Sequence, residues 1–358
     1  MFDQSESELA IERPIDVQQD ETGMRVGHGL LPRARFFDVL LRNSPLIGTR
    51  MNASMRRGWV SPVEARIHLG IPYGDLVAEE RRCLQGNSFT KNISVLIRAF
   101  VAWLLSSRKG LRPERRPRIV SAEVDNITIE DVLAYLVSSP DGDRARIVYI
   151  VHPHALNLAA SDKRFQDQLR HGNLVLPDGI GIRIAASILG VSLRHNLNGT
   201  DLLPQICKAA AASHLPLVLI GAKQEIVSAC AENLQRDTIG LSIPLFHDGY
   251  INDEQSKQLA EQIRAIGRCI VLVGMGSPLQ EQWAYKYLVD VPQTTVITVG
   301  GLFDFFSGKI PRAPMAWREL GIEWLWRLRQ EPRRLAKRYL LGNPRFLFLA
   351  LKQRFLNA

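Results

Sequence analysis

Cys269-Ile270-Val271-Leu272-Val273, then Gly274-Met275-Gly276-Ser277-Pro278, then Leu279-Gln280-Glu281: the fold is decided by this stretch. Five apolar residues in a row, with no polar alternation, read as a strand buried on both faces. Two glycines break the run, and a helix starts after them. Similar short runs at 147–151, 174–176, 215–220 and 294–299 alternate with helical stretches at 181–189, 202–212, 224–234 and 253–266. Such alternation predicts an α/β fold with a largely parallel sheet flanked by helices. Sheets of this kind bind ligands at the carboxyl ends of their strands, so the residues just after each run carry the functional reading.

Those residues leave alternatives open. Pro177-Asp178-Gly179 offers either a carboxylate facing the cleft as a general base or a cap for the next helix. Gly274 and Gly276 begin a dinucleotide fingerprint, but Leu279 stands where its third glycine belongs. The two glycines would still let backbone amides approach an anion, including a nucleotide diphosphate. His152 and His154, at i and i+2 on an extended segment, could ligate a metal, yet no third ligand is near; hydrogen bonding to substrate or a structural role is the alternative. Asp141-Gly142-Asp143 has the D-x-D form of some metal-dependent sugar transferases but reads as a surface turn after Pro140. Gly300-Gly301, ahead of Asp304, allow close backbone approach to a ligand.

Working outward, the chain has 358 residues, 46% hydrophobic and 23% charged, which excludes a wholly disordered, collagen-like or disulfide-dense protein. That length suits one large domain with an addition, or two domains. Cys83, Cys207, Cys230 and Cys269 form no C-x-x-C pair, which argues against a zinc site or a disulfide framework. The acidic N-terminus lacks a signal-peptide pattern, and no apolar run is long enough to span a bilayer, so a cytoplasmic protein is expected.

The net charge is +9, and it is concentrated: residues 312–358 hold eleven Lys and Arg against three Glu. Trp317, Trp324, Trp326, Tyr339, Phe346, Phe348 and Phe355 are interleaved with them, and Pro332 and Pro344 divide the stretch into short helices. Cations beside aromatics suit the headgroup layer of an anionic membrane. A basic helix packed on the domain by its apolar face is the plainer alternative, and no motif supports nucleic acid as a partner. Four segments follow: a disordered 1–30, an N-terminal helical extension 31–118, an α/β domain 119–311 and a membrane-associating appendage 312–358.

Pro177-Asp178-Gly179, Asn198-Gly199-Thr200-Asp201, Gly249-Tyr250, the 274–281 motif, Gly300-Gly301-Leu302-Phe303-Asp304 and Arg312-Ala313-Pro314 occur in an order that resembles the WecG/TagA/CpsF glycosyltransferases. Glu323-Trp324-Leu325-Trp326-Arg327-Leu328, Glu331-Pro332-Arg333-Arg334 and Arg338-Tyr339 continue the likeness, which covers roughly residues 120–345. The resemblance implies a Rossmann-like, metal-independent bacterial inverting glycosyltransferase that needs no cofactor. It implies transfer from a UDP-sugar to a polyprenyl-diphosphate-linked saccharide on the inner face of the cytoplasmic membrane. Self-association and polysaccharide-assembly partners are left open.

Carried over residue by residue, Asp178 matches the proposed base. His152, His154, Gly179, Asn198, Gly199, Asp201, Gly274, Gly276, Gln280, Glu281, Gly300 and Asp304 match substrate-binding positions. Arg312, Arg327, Arg333, Arg334 and Arg338 would meet the diphosphates or the lipid-linked acceptor. His152-Pro153-His154 stands where many members have Thr-x-Asn, which puts an inherited N-acetylmannosamine donor in doubt. Residues 39–48 and 58–62 faintly resemble the end of a polyprenyl-phosphate sugar-1-phosphate transferase. An NAD-type oxidoreductase and a non-catalytic membrane scaffold are the rival readings. Deletion of 317–358 is expected to abolish both membrane binding and transfer.

Overall fold

The computed structural model describes residues 114–140, 142–314, 317–318 and 321–356, and before them only 61, 63, 81, 93 and 95–97. The expectations for 1–30 and for the transferase likeness at 39–62 therefore fall outside the described residues, apart from Ser61.

A short antiparallel pair, β1 (Arg118–Ile119) and β2 (Ala122–Glu123), leads into helix α1 (Ile129–Val137). The chain then alternates through β3 (Arg146–Val151), α2 (Pro153–Ala159), α3 (Lys163–Arg170), β4 (Leu174–Pro177), α4 (Ile180–Leu189), α5 (Gly199–Ala212), β5 (Leu217–Gly221) and α6 (Gln224–Asp237). It continues through β6 (Leu245–His247), α7 (Asp253–Ile266), β7 (Cys269–Gly274), α8 (Leu279–Leu288), β8 (Thr294–Thr298) and α9 (Phe303–Phe306). The tail forms α10 (Glu323–Gln330), α11 (Pro332–Ala336), a π-helical turn (Lys337–Leu341) and α12 (Gly342–Leu356).

Six strands form one sheet in the order β4-β3-β8-β7-β5-β6, all parallel. The five strands expected from the sequence are there within two residues at each end. The sixth, β6, is a three-residue, half-buried edge with too little apolar pattern to be read in advance. Alternate side chains of each inner strand serve opposite cores. Val148, Ile150, Leu217, Leu219, Ile270, Leu272 and Ile297 face the core covered by α1, α5 and α6. Ile147, Tyr149 and Val151 face α2, α3, α4 and α12, while Val218, Ile220, Val271 and Val273 face α7 and α8. Burial on both faces is why these strands read as unbroken apolar runs.

The chain leaves β5 toward β6 and leaves β7 toward β8, in opposite directions from neighbouring strands. Such a switch opens a crevice beyond the strand ends. The strands meet closely there: a Cβ on Gly274 would lie 2.8 Å from the Gly300 carbonyl oxygen and 2.9 Å from the Phe303 ring. Gly274 thus serves the joining of two loops.

The tail is built into the domain. Phe346 and Ala350 of α12, four residues apart, are fully buried in the core that α2 and α4 share. Gln353 closes the other end, accepting from Val120 N–H at 2.7 Å and donating to the Arg118 carbonyl at 2.9 Å. Asn157 donates to the Gly342 carbonyl at 2.7 Å.

Candidate active site

Two adjoining cavities lie over the carboxyl ends of the strands, of about 360 and about 960 Å³, and the tail roofs both. His154, Gly276, Gly300, Gly301, Arg327 and Arg338 line both, so these six residues form the passage between the two lobes.

Asp178 lies in the smaller lobe, at the end of β4. Backbone geometry removes the cap reading. Gly179 takes the N-cap position of α4 with φ 89°, and no side chain caps that helix. The left-handed backbone favours glycine there, and it leaves the Asp178 carboxyl facing the cavity. Burial first, then the nearby Glu323 charge, lifts its pKa to about 7, against the opposing pull of Arg338.

The arginines come from the tail. Arg327 packs its guanidinium over the Phe305 ring at 5.0 Å and over Gly301, where a Cβ would stand 2.6 Å from one of its terminal nitrogens. Arg338 lies over Tyr339 at 5.6 Å, and burial lowers its pKa. The Nε atoms of Arg327 and Arg338 are buried without a hydrogen-bond partner. Buried guanidinium donors left open at a cavity wall are suited to an anionic ligand. Arg334 lines the larger lobe and bonds Glu331 at 2.5 Å, and Lys223, Lys309 and Arg345 add charge there.

Other expected residues sit elsewhere. Arg312 pairs with Asp201 and faces neither lobe, and Arg333 is exposed outside both. Asp201 lines the smaller lobe, but its carboxylate is occupied by Arg312, by Arg318 at 3.7 Å and by the Asn198 amide at 2.7 Å. Asn198 caps α5 by accepting from Asp201 N–H. Both residues therefore fasten the tail to α5, because their polar atoms are already satisfied.

Gln280 and Glu281 also line neither lobe; they are buried beneath the glycine loops. The Gln280 carboxamide oxygen accepts from Gly276 N–H at 3.1 Å and from Gly300 N–H at 2.9 Å. Its amide donates to Glu281 at 2.9 Å, and Ser277 donates to the same carboxylate oxygen at 2.7 Å. This corrects two expectations. The pair positions the glycine loops from below instead of lining the cavities, and the Gly276 and Gly300 amides are already taken by Gln280.

His152 caps α2, its Nδ1 accepting from Ala155 N–H at 3.1 Å, and burial holds the ring neutral. His154 reaches both lobes, and burial with the Arg338 charge lowers its pKa to about 4. Among the described residues no three His, Cys, Asp or Glu are placed to hold a metal. Gly179 and Gly199 line the smaller lobe, and Gly274 and Asp304 the larger.

Sequence reasoning missed Arg183, which lines the smaller lobe and whose pKa burial pushes down to about 10. It also gave no site role to Glu323 or Tyr250, and it read Trp324 only as one of the tail's membrane-facing aromatics. A spacing rule could have reached Arg183, one helical turn and a half beyond Asp178; Asn196, which accepts from Gly179 N–H at 3.1 Å, carried no signal at all.

The model described as "Glycosyl transferase WecG/TagA/CpsF family" matches residues 117–358. A Bacillus spizizenii protein named N-acetylglucosaminyldiphosphoundecaprenol N-acetyl-beta-D-mannosaminyltransferase is 29% identical over 212 residues, 59% of this chain and 81% of that relative. A Staphylococcus aureus protein of the same name is 27% identical over 236 residues, 65% of this chain and 91% of its own length. An arginine-walled cleft at the strand ends, with the Asp178 carboxyl open to it, agrees with the family match. The chain belongs to the WecG/TagA/CpsF family and is a glycosyltransferase.

Proposed function

We propose that the protein moves a sugar from a UDP-sugar to a polyprenyl-diphosphate-linked saccharide with inversion at the anomeric carbon, in the making of a bacterial surface or exported polysaccharide. The observation that carries this reading is the half-buried Asp178 carboxyl, not spent on capping a helix, sharing its cavity with two arginines whose Nε atoms are buried and unpartnered. The relatives' name supplies the acceptor class: a diphosphoundecaprenol bearing N-acetylglucosamine.

The chemistry follows from the layout. An acceptor hydroxyl in the smaller lobe attacks the anomeric carbon while Asp178 takes its proton. The bond from that carbon to the donor diphosphate breaks on the opposite side, and the nucleotide leaves into the larger lobe. Arg327 and Arg338, whose Nε atoms are buried and unpartnered, neutralise charge growing on the leaving oxygen. They supply from side chains what a cation supplies elsewhere, which supports the metal-independent reading.

A peripheral position on an anionic membrane completes the proposal. Among the described residues no helix is long and apolar enough to cross a membrane. On α12, opposite the buried Phe346 and Ala350, Phe348, Leu351 and Phe355 form an exposed apolar stripe at i, i+3 and i+7, beside Lys352. That stripe suits the acyl boundary, with its lysine meeting phosphate.

The test is UDP release by purified protein given a panel of UDP-sugars and short-chain polyprenyl-diphosphate saccharides, with Asp178→Asn in parallel. Release that requires acceptor and falls about 100-fold or more in the variant is expected. Equal release by both proteins would remove Asp178 from the chemistry.

A further inference from the structure

Glu323 opens α10 and lines the smaller lobe with Asp178. Its Oε1 is buried and accepts no hydrogen bond; the nearest cation, Arg312 Nε, stands 3.9 Å away, beyond bonding distance. A buried carboxylate oxygen that accepts nothing is costly unless something that visits the site donates to it. The third carboxylate of this lobe, Asp201, is already held by Arg312, Arg318 and Asn198. Asp178 and Glu323 are therefore the carboxylates left open to a ligand.

The residue beside Glu323 narrows the class of ligand. Trp324 lines the same lobe, its ring held edge-on against Tyr339 at 5.8 Å between centroids. A flat apolar surface next to an open carboxylate matches a pyranose, which presents a C–H face and hydroxyls around its edge. One hydroxyl alone cannot serve both carboxylates as donor, since it has a single proton.

We infer that Glu323 and Trp324 form an acceptor-sugar subsite delivered by the tail, in which Glu323 accepts a hydrogen bond from the hydroxyl neighbouring the one that reacts. By holding that neighbour, Glu323 decides which oxygen Asp178 deprotonates, and so the position of the new linkage. The inference rests on the glycosyl-transfer reading above and adds a specificity-determining residue to it.

A two-by-two comparison tests it. The acceptors are a short-chain polyprenyl-diphosphate saccharide and its single-deoxy analogues. The proteins are the full chain with Glu323 and with Glu323→Ala, and Glu323→Gln is a second variant that keeps the shape of the side chain. In the wild type, loss of one non-reacting hydroxyl should lower kcat/KM on the order of 10- to 100-fold, the usual weight of a hydrogen bond to a charged group. In Glu323→Ala the same deoxygenation should cost nothing further, and NMR of its product with the full acceptor should show mixed linkage positions. Glu323→Gln should retain part of the discrimination, because a carboxamide oxygen still accepts. General damage to the tail lowers all acceptors together and leaves these ratios unchanged, so it cannot imitate the result. Transfer with the same ratios and a single linkage in all three proteins overturns this inference alone. Transfer to no acceptor by the wild type overturns the functional reading, and the inference with it.

Discussion

Asp178 holds its proton to about 7 in the folded chain, against 3.8 as its ordinary value. Two outcomes follow from that difference. As a base it must be ionised, so kcat/KM for the acceptor should rise with pH and level off above about 7, an inflection that Asp178→Asn should lack. The sign for stability runs the other way. Between those two pH values the folded state binds the extra proton, so this carboxyl's contribution is fully present below pH 4 and is lost as pH rises through 7. Asp178→Asn should therefore raise Tm at pH 8, by about 2–4 °C for each ~1 kcal/mol relieved in a domain of this size, and leave it unchanged at pH 4. Thermal melts at the two pH values check this. A third prediction concerns Gly301. A methyl there would meet Arg327 at 2.6 Å, and the flexible end of that side chain can swing away. Gly301→Ala should fold with near-native Tm and lose about 10-fold or more in kcat, as one misaligned charge partner would cost.

Among the elements, legibility depended on whether a residue's partner lay nearby in sequence. Helix α7 agrees to the residue with the stretch read from the sequence, and its start is fixed locally by the capping bonds that Asn252 and Gln255 exchange. The inner strands were read because both of their faces are apolar. The cap at α4 was not legible: Pro177-Asp178-Gly179 allows either residue to end the turn, and only the backbone shows Gly179 doing so. Gln280 and Glu281 look like ligand residues in sequence; their bonds to loops 4 and 20 residues away make them struts. The tail's charge could be counted but not aimed, so Arg327 and Arg338 could not be told from Arg312 and Arg333.

Helix α12 shows the same limit, and it changes an experiment. Its apolar residues lie on both sides, and sequence cannot say which side is core. Because Phe346 is fully buried, Phe346→Ala should cost about 3–5 kcal/mol, and denaturant melts would measure it. Deletion of 317–358 should therefore break the fold along with any proposed membrane contact, so loss of transfer after deletion does not isolate the latter. Phe348→Ser with Phe355→Ser is the cleaner change: both are exposed, so Tm should hold while sedimentation with anionic vesicles falls.

At the scale of the whole molecule, the sheet supplies the open Asp178 carboxyl and the tail supplies the cations and the roof. Vesicle binding by the intact protein should weaken as salt rises, because exposed charges are screened beyond about 8 Å at physiological ionic strength. Binding indifferent to salt would assign the contact to apolar insertion alone.

The clasp between Gln353 and the hairpin at Arg118 and Val120 has a meaning for biosynthesis. One core of the sheet is filled from the far end of the described chain, by Phe346 and Ala350, and is buttoned to the first strands by Gln353. A ribosome that has delivered every strand has still not delivered the piece that seals them. The nascent domain must wait, one flank greasy and uncovered, until α12 clears the exit tunnel. Its dependence on chaperones should be concentrated in the interval between the emergence of β8 and that of α12.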